Sequence, residues 1–403
     1  MGRPLAISRC ATVLLLTVML TGCQKPSGGS AAIEPPGRGP YAVGSSNLEV
    51  ATAFAGIGDD ALDDYLLGRA ADLGQARFLT DALKHPDSAF VVDVPVPSDE
   101  SIYGPAQGQT LPVVTYITFP TDANADPQPY VFPYHDGRYG TFEHMLGPGE
   151  RPRFADPTVR YPLVIFAHGT PAHGLYDVRR AHDLASHGYI VAVLTYGDDR
   201  TRQPDSLNRH TGFLRPLLTK AVLDALLASD TYGPHIDADR IGIAGHSYGG
   251  FTSLAVAGGP FEGNPTTVHD TRIKAAAIAA PWVGGTYDGT DFYAFGPDNT
   301  GLARVSIPIL SLFGSKDDVT LAAFIVPAMQ HLSGPTYVVE LVDQPHIFDE
   351  GSWQDRENWE AVFFAAYLKY DAAALSLLKS GTNMQGGSED WQLFQYQKLP
   401  DSR

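Results

Sequence analysis

Cysteine is nearly absent. The 403 residues hold two, Cys10 and Cys23, both near the N-terminus. Beyond Cys23 no thiol is left to act as a nucleophile, form a disulfide or hold structural zinc, so those chemistries are excluded there. Basic residues are also scarce: 28 Lys and Arg stand against 45 Asp and Glu, a formal net charge of −17. An acidic surface repels a polyanion, so nucleic acid is not an expected partner. The apolar stretch "ATVLLLTVML" at residues 11–20 is too short for a comfortable membrane span. No internal repeat is found. What the chain has in quantity is hydrophobic residues, 44%, enough for one large core or two smaller ones.

Arg3 and Arg9 ahead of that apolar stretch give the plan of a signal peptide over residues 1–22. Its end, Leu20-Thr21-Gly22-Cys23, resembles a bacterial lipobox. The resemblance implies cleavage before Cys23, lipidation of Cys23, and membrane association through that lipid alone, in the bacterial cell envelope. Residues 23–46 are Gly/Pro/Ser-rich and read as a flexible tether. Residues 47–87 have apolar positions spaced for a pair of amphipathic helices, an N-terminal extension with no evident chemistry. A catalytic domain is expected over 88–380, and an aperiodic tail over 381–403.

Within that domain, residues 88–97 and 110–120 read as strands of an edge hairpin. Residues 122–160, rich in Pro, Gly and Asp, read as loop. His135, Asp136, Glu143 and His144 fall there, but their spacing matches no helix-borne ligand pair, so neither a metal nor a cofactor is expected. From residue 161 strands and helices alternate. Strands are predicted in 161–169, 189–197, 240–245, 272–282, 306–314 and 335–343. Helices are predicted in 175–188, 213–229, 321–334 (interrupted by Pro327) and 356–379. This alternation predicts an α/β fold with a mostly parallel central sheet covered by helices on both faces.

Residues 245–249, Gly-His-Ser-Tyr-Gly, follow the strand-like "RIGIA" and precede a small, apolar run. G-x-S-x-G between a strand and a helix is the pattern of a nucleophile elbow. There the serine sits on a strained turn, and side chains two places away on either side would clash. A serine needs a base to take its proton, and the base needs a carboxylate to orient it. In such sheets the order is serine, acid, histidine, each just past a strand end. Ser247 is therefore the expected nucleophile. His346, directly after a predicted strand, is the expected base. Asp317 and Asp318 follow "SIPILSLFG" and are both candidates for the acid. Tyr248, next after the serine, offers one backbone N–H to an oxyanion. His246 is expected to brace the turn. Trp282 either lines the substrate pocket or packs in the core, and 283–302 either partly covers the site or is a plain surface loop.

These residues resemble the α/β-hydrolase superfamily. More narrowly, they are similar to the branch of dienelactone-hydrolase-like proteins, plasma-type platelet-activating-factor acetylhydrolases and bacterial polyester hydrolases, over roughly residues 88–375. The carriers are "FAHG" with "DLASHGYIVAVLTYGD", "GHSYGG", "APW" and "GSKDDV". The resemblance implies a serine carboxylic-ester hydrolase acting on a small-molecule ester. His168-Gly169 is similar to the "HG" turn of esterases, which makes the Thr170 N–H the second oxyanion donor. In the resembling families the acid commonly stands three residues after the glycine that here is Gly314, which implies Asp317; Asp318 would then face solvent or cap the helix expected near Thr320. Serine stands where dienelactone hydrolases proper carry cysteine, so dienelactone is not the implied substrate. Two other function classes compete. Prolyl-peptidase-like enzymes share the elbow and triad, but usually carry a large extra domain that residues 47–87 are too few to supply. A non-catalytic binding protein on this fold would not be expected to keep serine, acid and histidine together.

Overall fold

The computed structural model describes residues 38–49, 83–124, 130–133, 139–142, 144–170, 172–196, 209–261, 268–381, 383–384 and 389–396. Cys10, Cys23, the expected signal peptide, and most of the expected helical extension (50–82) lie outside these residues, as do His135, Asp136 and Glu143.

The strands, in chain order, are β1 (Ala42–Ser45), β2 (Phe90–Pro95), β3 (Thr110–Thr121), β4 (Tyr130–Pro133), β5 (Tyr139–Phe142), β6 (His144–Met145), β7 (Tyr161–Ala167), β8 (Ile190–Thr195), β9 (Ile236–His246), β10 (Ile273–Ala279), β11 (Gly284–Tyr287), β12 (Thr290–Tyr293), β13 (Ile309–Gly314), β14 (Thr336–Leu341) and β15 (Asp390–Tyr396). The principal helices are α1 (Val178–Ser186), α2 (Arg209–Ala228), α3 (Tyr248–Val256), α4 (Ala322–Gln330), α5 (Glu350–Leu368) and α6 (Ala372–Ser380).

The main sheet runs β15-β14-β13-β10-β9-β7-β8-β3-β1-β6, with β2 also paired to β3. From β8 to β14 every pairing is parallel. The antiparallel members, β15 at one side and β1, β2 and β3 at the other, flank this parallel core. The expected mostly parallel α/β sheet, the architecture of an α/β hydrolase, is what the chain forms.

The pleat sorts the core into two layers. In β7, Leu163, Ile165 and Ala167 pack on the side covered by α2, α3 and α4. Val164 and Phe166 pack on the side covered by α1, α5 and α6. Alternate side chains of a strand point to opposite faces, so a strand buried on both must be apolar throughout, as β7 and β8 are.

The winding reverses between β7 and β9. The chain goes from β7 outward to β8, returns across β7 to β9, then proceeds to β10, β13 and β14. Loops leaving β7 and β9 diverge there, and the crevice at such a switch point is where open α/β sheets bind ligands. The opposite end of the sheet holds the first described residues. Gly39 N–H donates to Ser186 Oγ at 2.9 Å, and Tyr41 N–H to the Ser186 carbonyl at 3.1 Å, just before β8 begins.

Several local expectations change. The expected tether, 23–46, ends in β1, a strand of the main sheet. The expected loop over 122–160 contains the β4–β5 hairpin and β6. The expected C-terminal tail supplies β15, which pairs antiparallel with β14. The expected closing helix, 356–379, is two helices. Tyr370 takes φ 57, and the Asp371 carboxylate caps α6 by accepting from the Ala373 and Ala374 N–H groups. Pro327 does not interrupt α4, which runs through it. The flanks of the expected helical extension, 47–49 and 83–85, are non-helical, and Pro86–Ser88 forms a 3-10 turn.

Candidate active site

Ser247 stands between β9 and α3 with φ 54 and ψ −117. For a side chain other than glycine this conformation costs on the order of 1–3 kcal/mol and persists only where surroundings enforce it. Here they do. The Ser247 N–H donates to the Ala279 carbonyl at 2.9 Å, and its carbonyl accepts from Gly250, Phe251 and Trp282 at 2.9, 3.2 and 3.0 Å. A Cβ on Gly245 would lie 2.2 Å from the Gly249 oxygen, and one on Gly249 would lie 1.9 Å from the Ala167 oxygen. Both glycines of the motif are thus required by backbone that cannot move aside.

Asp317 and His346 come together because the turns after β13 and β14 are stitched to each other. Ser315 N–H donates to the Leu341 carbonyl and Lys316 N–H to the Gln344 carbonyl, at 3.0 and 2.9 Å. His346 Nδ1 lies 2.9 Å from Asp317 Oδ2. The second carboxylate oxygen accepts from Val319 N–H and Thr320 N–H at 2.9 and 2.8 Å. Thr320 Oγ1 lies 2.7 Å from Asp317 Oδ2 and 3.2 Å from His346 Nδ1. Burial alone would raise the Asp317 pKa, but the hydrogen bonds from His346 and Thr320 outweigh it and hold the carboxyl below its ordinary value. An ionised Asp317 keeps the proton on Nδ1, which leaves the other ring nitrogen free to act as a base. Asp318 is exposed and caps nothing; the residue preceding α4 is Leu321, with no side-chain cap.

His246 does more than brace the turn. Its Nε2–H donates to the His346 carbonyl at 2.8 Å, and the two rings stand 4.8 Å apart. Burial, then the charge of Arg356, pushes its pKa well below the ordinary histidine value, so it is neutral.

The loop after β7 presses on the elbow from the other side. A Cβ on Gly169 would lie 3.4 Å from Ser247 Cβ. Thr170 follows directly, and Tyr248 opens α3. Trp282 is partly buried. Its backbone N–H donates to the Ser247 carbonyl, and its ring packs on Tyr248, Phe251 and Phe292 at 5.5, 5.5 and 5.8 Å. The segment 283–302 supplies the β11–β12 hairpin, which carries Phe292 and Tyr287 beside that ring.

Sequence reasoning missed Thr320 and Arg215. An arginine inside the apolar "FLRPLL" was the signal for the second; Thr320 gave none. Among the described residues, no group of three or more His, Cys, Asp or Glu side chains is placed to hold a metal ion, and no helix is long and apolar enough to cross a membrane.

No protein-family model matches the chain. A stretch of 111 residues is 30% identical to a protein of Bacillus subtilis (strain 168) described as the uncharacterized peptidase YuxL. It covers 27% of this chain and 17% of that protein. Together with the sheet order, this similarity supports a hydrolase on an α/β-hydrolase scaffold.

Proposed function

We propose that the chain is a serine carboxylic-ester hydrolase working through an acyl-enzyme. The observation that carries this reading is the bond from His346 Nδ1 to Asp317 Oδ2, beside a serine held in the elbow conformation. In the proposed reaction His346 Nε2 takes the Ser247 hydroxyl proton as Oγ bonds to the ester carbonyl carbon. The carbonyl electron pair moves onto oxygen, where the Thr170 and Tyr248 N–H groups stabilise it. The pair then re-forms the carbonyl, the bond to the alcohol oxygen breaks, and the imidazolium protonates the leaving alcohol. Water repeats the sequence on the acyl-enzyme, releasing the acid and restoring Ser247.

Ester substrates with apolar groups, as in the branch it resembles, are favoured by the surroundings. Large apolar side chains next to the proposed triad are solvent-exposed: Ile347 beside His346 (71%), and Val319 (59%) and Leu321 (40%) beside Thr320. Tyr287 and Phe292 of the hairpin are exposed as well. Trp282, whose ring packs on Tyr248 and Phe292, would line the pocket. The similarity to a peptidase keeps peptide hydrolysis as the second reading. We further propose that Cys23 carries lipid and tethers the protein in the cell envelope.

A chain-length series of p-nitrophenyl esters, run beside a matched series of aminoacyl p-nitroanilides, tests the function. Wild type should cleave short-chain esters. Ser247→Ala and His346→Ala should each lose most of the rate, and the double variant little more. Full ester hydrolysis by Ser247→Ala would end the proposal; faster anilide than ester cleavage would turn it to a peptidase.

A further inference from the structure

Arg215 projects from α2, is fully buried, and grips the loop that follows β7. Its Nη1 donates to the His168 carbonyl at 2.6 Å. Its Nη2 donates to the Gly169 carbonyl at 3.2 Å and to Thr170 Oγ1 at 2.9 Å. The guanidinium lies 5.0 Å from the ring centres of both Tyr196 and Tyr248. It therefore touches both residues whose N–H groups are the proposed oxyanion donors.

His168 completes the grip. Burial, then the positive charge of Arg215, hold its pKa well below the ordinary value, so the ring is neutral and carries one N–H. Its Nε2 accepts from the Tyr196 N–H at 3.3 Å, so the proton is on Nδ1, which donates to the Gly169 carbonyl at 2.8 Å. The Gly169 oxygen thus receives two donors, one of them charged. That carbonyl and the Thr170 N–H belong to one planar peptide unit and point in opposite directions. Fixing the oxygen fixes where the N–H points. A charged donor on the oxygen also draws electron density from nitrogen and strengthens the N–H as a donor, the cooperative effect of linked hydrogen bonds.

We propose that Arg215 is a positioning residue of the oxyanion hole, which orients and polarises the Gly169–Thr170 peptide so that the Thr170 N–H is aimed before substrate arrives. This rests on the ester-hydrolase reading above. Arg215 touches no reacting atom; its effect passes through the peptide.

The test compares an ester with its thionoester, whose sulfur is a poor hydrogen-bond acceptor and gains little from an oxyanion hole. Direct removal of one such donor costs on the order of 10²–10³ in kcat; acting through a peptide, Arg215→Gln should cost roughly 30-fold in ester kcat with little change in KM. The ester-to-thionoester rate ratio should fall by about the same factor. Arg215→Lys keeps charge but not the fork, and should lie between. Thermal unfolding checks that each variant is folded. Equal losses on both substrates, or ester kcat within about three-fold of wild type in a folded variant, would overturn the proposal. Failure of both variants to fold would also overturn it, making Arg215 a residue of the fold alone. Absence of Ser247-dependent ester hydrolysis in wild type would instead bring down the functional reading on which it rests.

Discussion

Adjacent aspartates at 317 and 318 have entirely different surroundings. Asp317 is buried and receives the His346 ring, two backbone N–H groups and the Thr320 hydroxyl; Asp318 faces solvent. An amide at 317 cannot hold the Nδ1–H tautomer as a carboxylate does. Asp317→Asn should therefore lose about 10⁴ in kcat with the fold kept, as loss of an orienting carboxylate does elsewhere. Asp318→Asn should remain within a few-fold. Parallel p-nitrophenyl ester kinetics of the two variants check this, and the reverse pattern would move the acid to 318. At this scale much of the geometry was legible. Ser247 and His346 announce themselves by motif and strand-end position, whereas position left Asp317 and Asp318 both open and only the family resemblance favoured 317. Arg215 gave only the hint of a charge in an apolar run, because the groups it grips lie more than 40 residues away; Thr320 gave none, because a threonine three residues after an aspartate looks like any loop residue.

The elbow is a property of β9, β7 and α3 together. The Gly249 site abuts the backbone of Ala167, so α3 can cross the end of β7 only if residue 249 has no side chain. Gly249→Ala should cost about 3 kcal/mol, the upper part of the usual overpacking range, and lower activity with it. Urea unfolding reads the loss; an unchanged midpoint would show that the crossing has slack. The parallel strands and their helices were readable because hydrophobic period and strand–helix alternation agree. The break between α5 and α6 was not. "KYDAAAL" keeps a helical period with no Gly or Pro, and only Asp371 as a capping residue marked the new start. β15 was missed for another reason: a short segment becomes a strand only once β14 offers it an edge.

Across the molecule, α1 and α5 meet over a buried ionic network. Arg180 bonds to Asp177 and Glu360, Arg179 to Glu357, and Arg356 to Glu360. Asp183 lies at its margin. Burial, then repulsion by Glu357 and Glu360 against a lesser pull from Arg179, pushes its carboxyl up to about 7 from an ordinary 3.8. The folded protein thus retains this proton up to about pH 7, while the unfolded chain releases it near 3.8. Below about 3.8 both states hold the proton and the group costs nothing; as pH rises from there to about 7 the unfolded chain ionises first and the fold loses stability. Asp183→Asn, which never ionises, should match wild type in melting temperature near pH 4 and exceed it at pH 8. A constant difference across this range would show that Asp183 does not titrate there.

The docking of Gly39 on Ser186 gives the described residues a front and a back. Ser247 opens at one end of the sheet, and Gly39 joins at the other. With lipid on Cys23, residues 24–38 would reach at most about 50 Å when fully extended. Intact mass of envelope-extracted protein should show a lipidated N-terminal Cys23. The anchored and soluble forms should then hydrolyse a dissolved ester with equal kcat/KM, while ester lipids of the anchoring bilayer should be cleaved slowly. If Cys23 carries the lipid, tether and serine join the sheet at opposite ends, an arrangement that suits an ester arriving in solution better than one held in the anchoring bilayer.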